Sequence, residues 1–168
     1  GYRGAVRNVF APVERCVGKL SGRRPVYYTG HSQGGAMATI ASLLSPIPTA
    51  TYTFGAPKSG NPTYAGLLKN LYPFVNEDDI APKYPLRLMG LCYGGYKHGG
   101  QFWHIKGDPP KLTRGKWDFM RHQLLVPFTH RGVAQGVLDH RVGEYRRKLE
   151  SIVGSGKLGP YPEYDGPF

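Results

Sequence analysis

Apolar residues recur at spacings of three and four along residues 2–20 (Ala5, Val6, Val9, Phe10, Val13, Cys16, Val17, Leu20), the period of a helix with one buried face. Pro12 is expected to bend this helix and Ser21-Gly22 to end it. Pro25 to Thr29 is a short β-branched and aromatic run that reads as a buried strand. Gly30-His31-Ser32-Gln33-Gly34-Gly35 follows, and then a largely apolar stretch, Ala36 to Leu44, that reads as a helix. Ala50 to Phe54 is a second strand, with Gly55-Ala56-Pro57 as its exit. Asn61 to Asn70 is expected to be a helix with Asn61 as cap and Pro62 in its first turn, and Tyr72 to Asn76 a third strand. Strands that alternate with helices point to an α/β fold: a short, mainly parallel sheet with helices on both faces. Beyond Asp79 the pattern loosens. Gln101 to Ile105 is expected to be a fourth strand or a hairpin arm, 106–116 a loop, and a further helical pattern starts near Trp117. His140 to Val153 carries Val142, Tyr145, Leu149 and Ile152 at helical spacing, with Gly154 as its stop. Residues 1–153 thus read as one domain and 154–168 as an extended tail.

The length of 168 residues fits one domain, and 24 glycines with 15 prolines call for many turns without preventing a core. No apolar run reaches the roughly 18 residues of a membrane helix, and the charged residues Arg3, Arg7, Glu14, Arg15 and Lys19 argue against a secretion signal at the start. The net charge of +11, with no acid between Glu14 and Glu77, favours acidic partners such as an anionic lipid surface. The cations are nevertheless scattered singly, with Arg146-Arg147-Lys148 as their densest run. They read as a solvated basic surface without a nucleic-acid site. Two cysteines, Cys16 and Cys92, in no CxxC spacing indicate neither a disulfide framework nor a zinc site. His98 and His104 find no third ligand at metal spacing, so neither metal nor cofactor is called for.

Gly30 to Gly34 matches G-x-S-x-G in the context that motif needs, a strand before and a helix after. A nucleophile at the tip of a strand-to-helix turn needs neighbours without side chains where the backbone doubles back, here Gly30 and Gly34. Ser32 would sit at the positive end of a helix, where the amide of Gln33 can help bind an oxyanion. A serine hydroxyl needs a histidine base oriented by a carboxylate. Glu77, Asp78 and Asp79 cluster after the third strand, where a loop at the carboxyl end of the sheet lies beside the elbow. Asp108, Asp118 and Asp139 are the remaining downstream acids. His31 occupies the elbow itself, which leaves His98, His104, His122, His130 and His140 as bases.

Tyr28 to Ala36 (YTGHSQGGA), Thr53 to Pro57 (TFGAP) with Gly60-Asn61, and Val75-Asn76 leading to Asp79-Ile80-Ala81-Pro82 resemble, in order, the motifs of the class 3 lipases. These are the fungal-type triacylglycerol lipases of the α/β-hydrolase fold. The resemblance implies Asp79 as the triad acid, because it precedes an apolar-x-Pro step. Tyr96 to Trp103 resembles a family segment whose histidine is not catalytic, which demotes His98; Gln101 stands there where the family has Glu. Val137-Leu138-Asp139-His140 is similar to the stretch that carries the family's catalytic histidine, which implies His140. The resemblance covers roughly residues 1–152 and begins late. The family's lid and the strand-loop donating a second oxyanion contact lie upstream of Gly1, a donor worth roughly 3–4 kcal/mol. A sheet of three or four strands would leave an open edge for a partner or an upstream segment to cover. The implied function is hydrolysis of lipid carboxylic esters, at a lipid–water interface, by Ser32, His140 and Asp79. The competing readings are a catalytically inactive remnant acting as a binding module, and a phospholipase or acyltransferase variant.

Overall fold

The computed structural model describes residues 2–22, 24–46, 49–85, 95–115 and 130–156. Helix α1 (Tyr2–Ser21) runs unbroken through Pro12. Strands β1 (Val26–His31), β2 (Thr49–Phe54), β3 (Leu71–Asn76), β4 (Trp103–Lys106) and β5 (Lys111–Arg114) form one sheet in that order. The first four are parallel, and β5 returns antiparallel to β4. Helix α2 (Gln33–Leu44) connects β1 to β2, α3 (Pro62–Leu67) connects β2 to β3, and α4 (His130–Asp139) and α5 (Val142–Gly154) follow the sheet. The described residues therefore form an α/β fold with a short, mainly parallel sheet.

The alternation of side chains along β2 decides which helix covers which face. Thr53 points to α2, where its Cβ would lie 3.2 Å from a Cβ on Gly35. Phe54 points the other way and packs edge-on against Tyr145 of α5, with ring centroids 6.1 Å apart. On the α5 face, Ile105, Tyr145 and Ile152 form a buried cluster with Phe54, Phe74, Leu112 and Leu149 against it. Each such side chain contributes about 1.5–3 kcal/mol by leaving water. Phe54, Phe74 and Trp103 stack in series across β2, β3 and β4. On the α2 face, Ala36 and Ile40 are buried, and Val6 of α1 is buried too. Glu14 of α1 accepts from Tyr28 Oη–H of β1 and Ser45 Oγ–H just beyond α2, tying α1 to both.

Four sequence expectations need correction. Residues 106–116 are not all loop, because Gly107, at φ 80°, turns the chain and Lys111–Arg114 pairs back on β4. The charged ends of Lys-Leu-Thr-Arg masked that strand. Among the described residues the sheet has five strands rather than three or four, with β1 at one edge. The helix expected over 61–70 stops at Leu67, since the Asn70 carbonyl already accepts from Thr51 N–H as the chain joins the sheet. Its cap is as read: Asn61 Oδ1 accepts from Tyr64 N–H at 2.9 Å. Lastly, His140 is not in a helix. Arg141, at φ −64° and ψ 131°, breaks the backbone between α4 and α5. The helical pattern from Trp117, Cys92, and the tail from residue 157 lie outside the described residues.

Candidate active site

Ser32 follows directly from β1 and precedes the first residue of α2. Its backbone has φ 55° and ψ −129°, a region an L-residue occupies at a cost of order 1–3 kcal/mol. The surroundings hold it there: Ser32 N–H donates to Phe54 C=O at 2.9 Å, and Gly35 N–H donates to Ser32 C=O at 3.0 Å. A Cβ on Gly30 would collide with the backbone of Gly34, so the first glycine of the motif is required by space. The second is not. A Cβ on Gly34 would meet nothing within 4 Å, whereas one on Gly35 would lie 2.7 Å from Ala56 Cβ and 2.9 Å from Gly30 O. The third glycine, not the second, lets α2 lie against the sheet.

The elbow between α4 and α5 brings His140 over Ser32. His140 Nε2 lies 2.8 Å from Ser32 Oγ, and His140 Nδ1 lies 2.9 and 3.0 Å from the two oxygens of Asp79. A carboxylate only accepts, so the proton of this tautomer is on Nδ1 and Nε2 accepts from the serine hydroxyl. Asp79 is wholly buried, while the imidazole keeps 24% of its side-chain surface exposed. The carboxylate is compensated by further donors, Ala81 N–H to Oδ1 at 2.8 Å and Tyr145 Oη–H to Oδ2 at 2.6 Å. Tyr145 Oη also accepts from Asn76 N–H at 2.9 Å. Burial first, and then the Asp79 charge, push the Tyr145 phenol well above its ordinary value, so it remains a donor. Gln33 is exposed, and as the first residue of α2 its N–H has no partner within the helix.

The other candidates point elsewhere. His98 Nε2–H donates to Pro82 C=O and His104 Nε2–H to Glu77 C=O. His122 and the side chain of His130 lie outside the described residues. Glu77 pairs with Lys148, and Asp139 accepts from Asp78 N–H and Gln135 Nε2–H. Burial raises the Asp139 carboxyl above its ordinary value against the pull of those two hydrogen bonds. Lys148 itself is 7% exposed, so it is not part of the solvated basic surface to which the sequence reading assigned it with Arg146 and Arg147. Tyr145 was legible only as an apolar helical position, although a tyrosine rather than leucine there is the signal of a buried hydroxyl in use. His31 was set aside as a base, yet its Nε2–H donates to the His140 backbone carbonyl at 2.7 Å and its ring lies 4.6 Å from that imidazole. No cluster able to hold a metal occurs among the described residues, and no described helix is long and apolar enough to cross a membrane.

The profile of the family described as Lipase (class 3) matches residues 1–89. A secreted mono- and diacylglycerol lipase of Malassezia globosa is 31% identical over 180 aligned positions, covering 99% of this chain and 54% of that protein. A lipase of Rhizopus oryzae is 37% identical over 82 positions, covering 42% of this chain and 21% of its own length. Among solved structures, lipase II from Rhizopus niveus superposes with a TM-score of 0.61 at 27% identity, over 83% of this chain and 56% of that one. The chain spans about half or less of the length of these relatives. A serine elbow at a strand-to-helix turn, on a parallel sheet shared with such proteins, carries the conclusion that the chain belongs to the class 3 lipase family.

Proposed function

We propose that this domain hydrolyses carboxylic esters of lipids through an acyl-enzyme. Ser32 is the nucleophile, His140 the general base and then acid, and Asp79 the residue that orients the imidazole and stabilises it once protonated. The observation that supports this reading is the row of short hydrogen bonds from Ser32 Oγ through His140 to Asp79. As Ser32 Oγ attacks the ester carbonyl, its proton passes to His140 Nε2. The oxyanion that forms lies at the N-terminus of α2, where Gln33 N–H donates to it and the helix dipole favours negative charge. His140 then returns the proton to the leaving alcohol. Water attacks the acyl-Ser32 ester with the same base, releasing the acid and restoring the hydroxyl. No cofactor enters these steps. The relative that aligns with nearly the whole chain is named for mono- and diacylglycerols, so partial glycerides are the substrates to assay first.

Intact-mass labelling with a fluorophosphonate tests the reading, because it needs an activated serine and an oxyanion site together. Wild type is expected to gain one adduct, while Ser32→Ala and His140→Ala gain none and lose at least about 10³-fold in ester hydrolysis. A folded wild type that takes no label would overturn the proposal and favour a binding module. Labelling with acyl transfer to glycerol in place of water would instead make the domain an acyltransferase.

A further inference from the structure

Glu77 begins the turn that delivers Asp79, and it is a non-glycine residue with φ 40°. Cβ crowding disfavours that conformation, so it persists where the surroundings over-determine it. Four groups hold Glu77. Its N–H donates to Ile105 C=O at 3.0 Å and its carbonyl accepts from His104 Nε2–H at 2.8 Å. Its Oε1 accepts from Gly107 N–H and from the Lys148 ammonium, each at 2.6 Å. Three of these come from β4 and the turn after it, and the fourth from α5. Burial pushes the Glu77 carboxyl up, but the hydrogen bonds from Lys148 and Gly107 and the charges of Lys148 and His104 reverse this and leave it below its ordinary value.

Lys148 stands between Tyr145 and Ile152 on the buried face of α5, where the helical period calls for an apolar residue. The Lys148 ammonium is buried while Glu77 is only partly so, and because replacing a buried ion pair by apolar side chains is often neutral or stabilising, the pair is weak evidence of a role in stability alone. Its location suggests another use. One face of α5 grips both ends of the segment 76–79: Tyr145 Oη joins Asn76 N–H to Asp79 Oδ2, and Lys148, one turn further on, takes Glu77 between them.

We propose that the Glu77–Lys148 ion pair is a positioning latch, which keeps Glu77 in the left-handed conformation so that the turn aims the Asp79 carboxylate at His140. The inference rests on the triad reading above. Glycine adopts positive φ without strain, whereas alanine does not. If the latch sets backbone conformation, glycine at 77 makes it dispensable. The experiment compares Lys148→Met, Lys148→Met/Glu77→Gly and Lys148→Met/Glu77→Ala on a soluble short-chain p-nitrophenyl ester, with active sites titrated and folding followed by circular dichroism.

Lys148→Met is expected to lower kcat per active site by roughly tenfold with KM unchanged. The glycine double variant regains most of that loss and the alanine double variant does not. Equal activity of the two double variants, or wild-type kcat in Lys148→Met, overturns the latch. Should Lys148→Met alone not fold, the two double variants still decide. The downfield His140 Nδ1 proton resonance gives a second readout that needs no turnover: present in wild type, lost in Lys148→Met and the alanine double variant, restored by glycine. If wild type hydrolyses no ester, the proposed function fails, and the latch is judged on that resonance.

Discussion

Gly55 stands directly behind Asp79: a Cβ on Gly55 would lie 2.5 Å from Asp79 Oδ2, 3.0 Å from His140 Nδ1 and 3.1 Å from Tyr145 Oη. Its φ of 58° also falls where side chains are strained. Gly55→Ala is therefore expected to push Asp79 and His140 apart. Because a displacement of about 1 Å in a reacting group can cost about 10²-fold, kcat should fall by about that factor while KM on a soluble ester changes little. Steady-state kinetics of the variant, with its fold checked by near-ultraviolet circular dichroism, measures this. Wild-type kcat in Gly55→Ala would mean that Asp79 does not need its present position.

Tyr145 Oη–H supplies Asp79 with a hydrogen bond of 2.6 Å and takes one from Asn76 N–H. Tyr145→Phe removes both while keeping the ring against Phe54 and Ile105. A hydrogen bond to a charged group is worth about 1.5–3 kcal/mol, and that is the expected loss of stability in urea denaturation. The carboxylate it leaves under-solvated is free to rotate away from His140, so kcat should fall by roughly tenfold. The phenol titrates well above its ordinary value, so the activity ratio of wild type to variant should stay flat from pH 6 to 9. A ratio that changed across this range would show that the hydroxyl acts by titrating.

His31 and His140 pack ring against ring at 4.6 Å, and the His31 Nε2–H holds the His140 carbonyl at 2.7 Å. The residue before Ser32 thus holds the backbone that carries His140. His31→Phe keeps an aromatic ring and removes the donor. Its kcat is expected to drop several-fold, the net value of about one neutral hydrogen bond, with labelling by a fluorophosphonate slowed in proportion. Unslowed labelling would leave the ring contact alone as the function of His31.

What the chain disclosed in advance follows from how local each feature is. The elbow needs six consecutive residues between a strand and a helix, so Ser32 was legible from Gly30 to Gly35 alone. Asp79 and His140 were legible through resemblance, because nothing local separates Asp79 from Asp78 or His140 from His104; the hydrogen bonds that separate them span 61 residues or more. Tyr145 and Lys148 sat in a helical pattern that foretold their element but not their partners, which lie 66 and 71 residues away. Lys148 was moreover read with its arginine neighbours as solvated surface, although the same spacing puts it one turn from Tyr145 on the buried face. Gly34 was credited with a steric duty that belongs to Gly35, since the motif gives the glycines but not the direction in which each Cβ would point.

Lys58 makes a prediction about stability and pH. It is 6% exposed, and its ammonium donates to the carbonyls of Lys83 at 2.6 Å and Pro85 at 3.1 Å, pinning the segment that follows Asp79. Burial pulls this ammonium down to about 8, from an ordinary value of 10.5. Between these two values the unfolded chain holds the proton and the folded chain has released it. The unfolded state then binds more protons, so stability from this group rises with pH across that window. The full span corresponds to at most about 3 kcal/mol. In Lys58→Met the group is gone while every other titration remains. Urea denaturation of both proteins at pH 7.5 and 10 should therefore show wild type gaining on the variant as pH rises, and the neutral amine still donates to both carbonyls. A stability difference that stayed constant, or moved toward the variant, would mean that Lys58 keeps its charge in the fold and that the two carbonyls outweigh its burial.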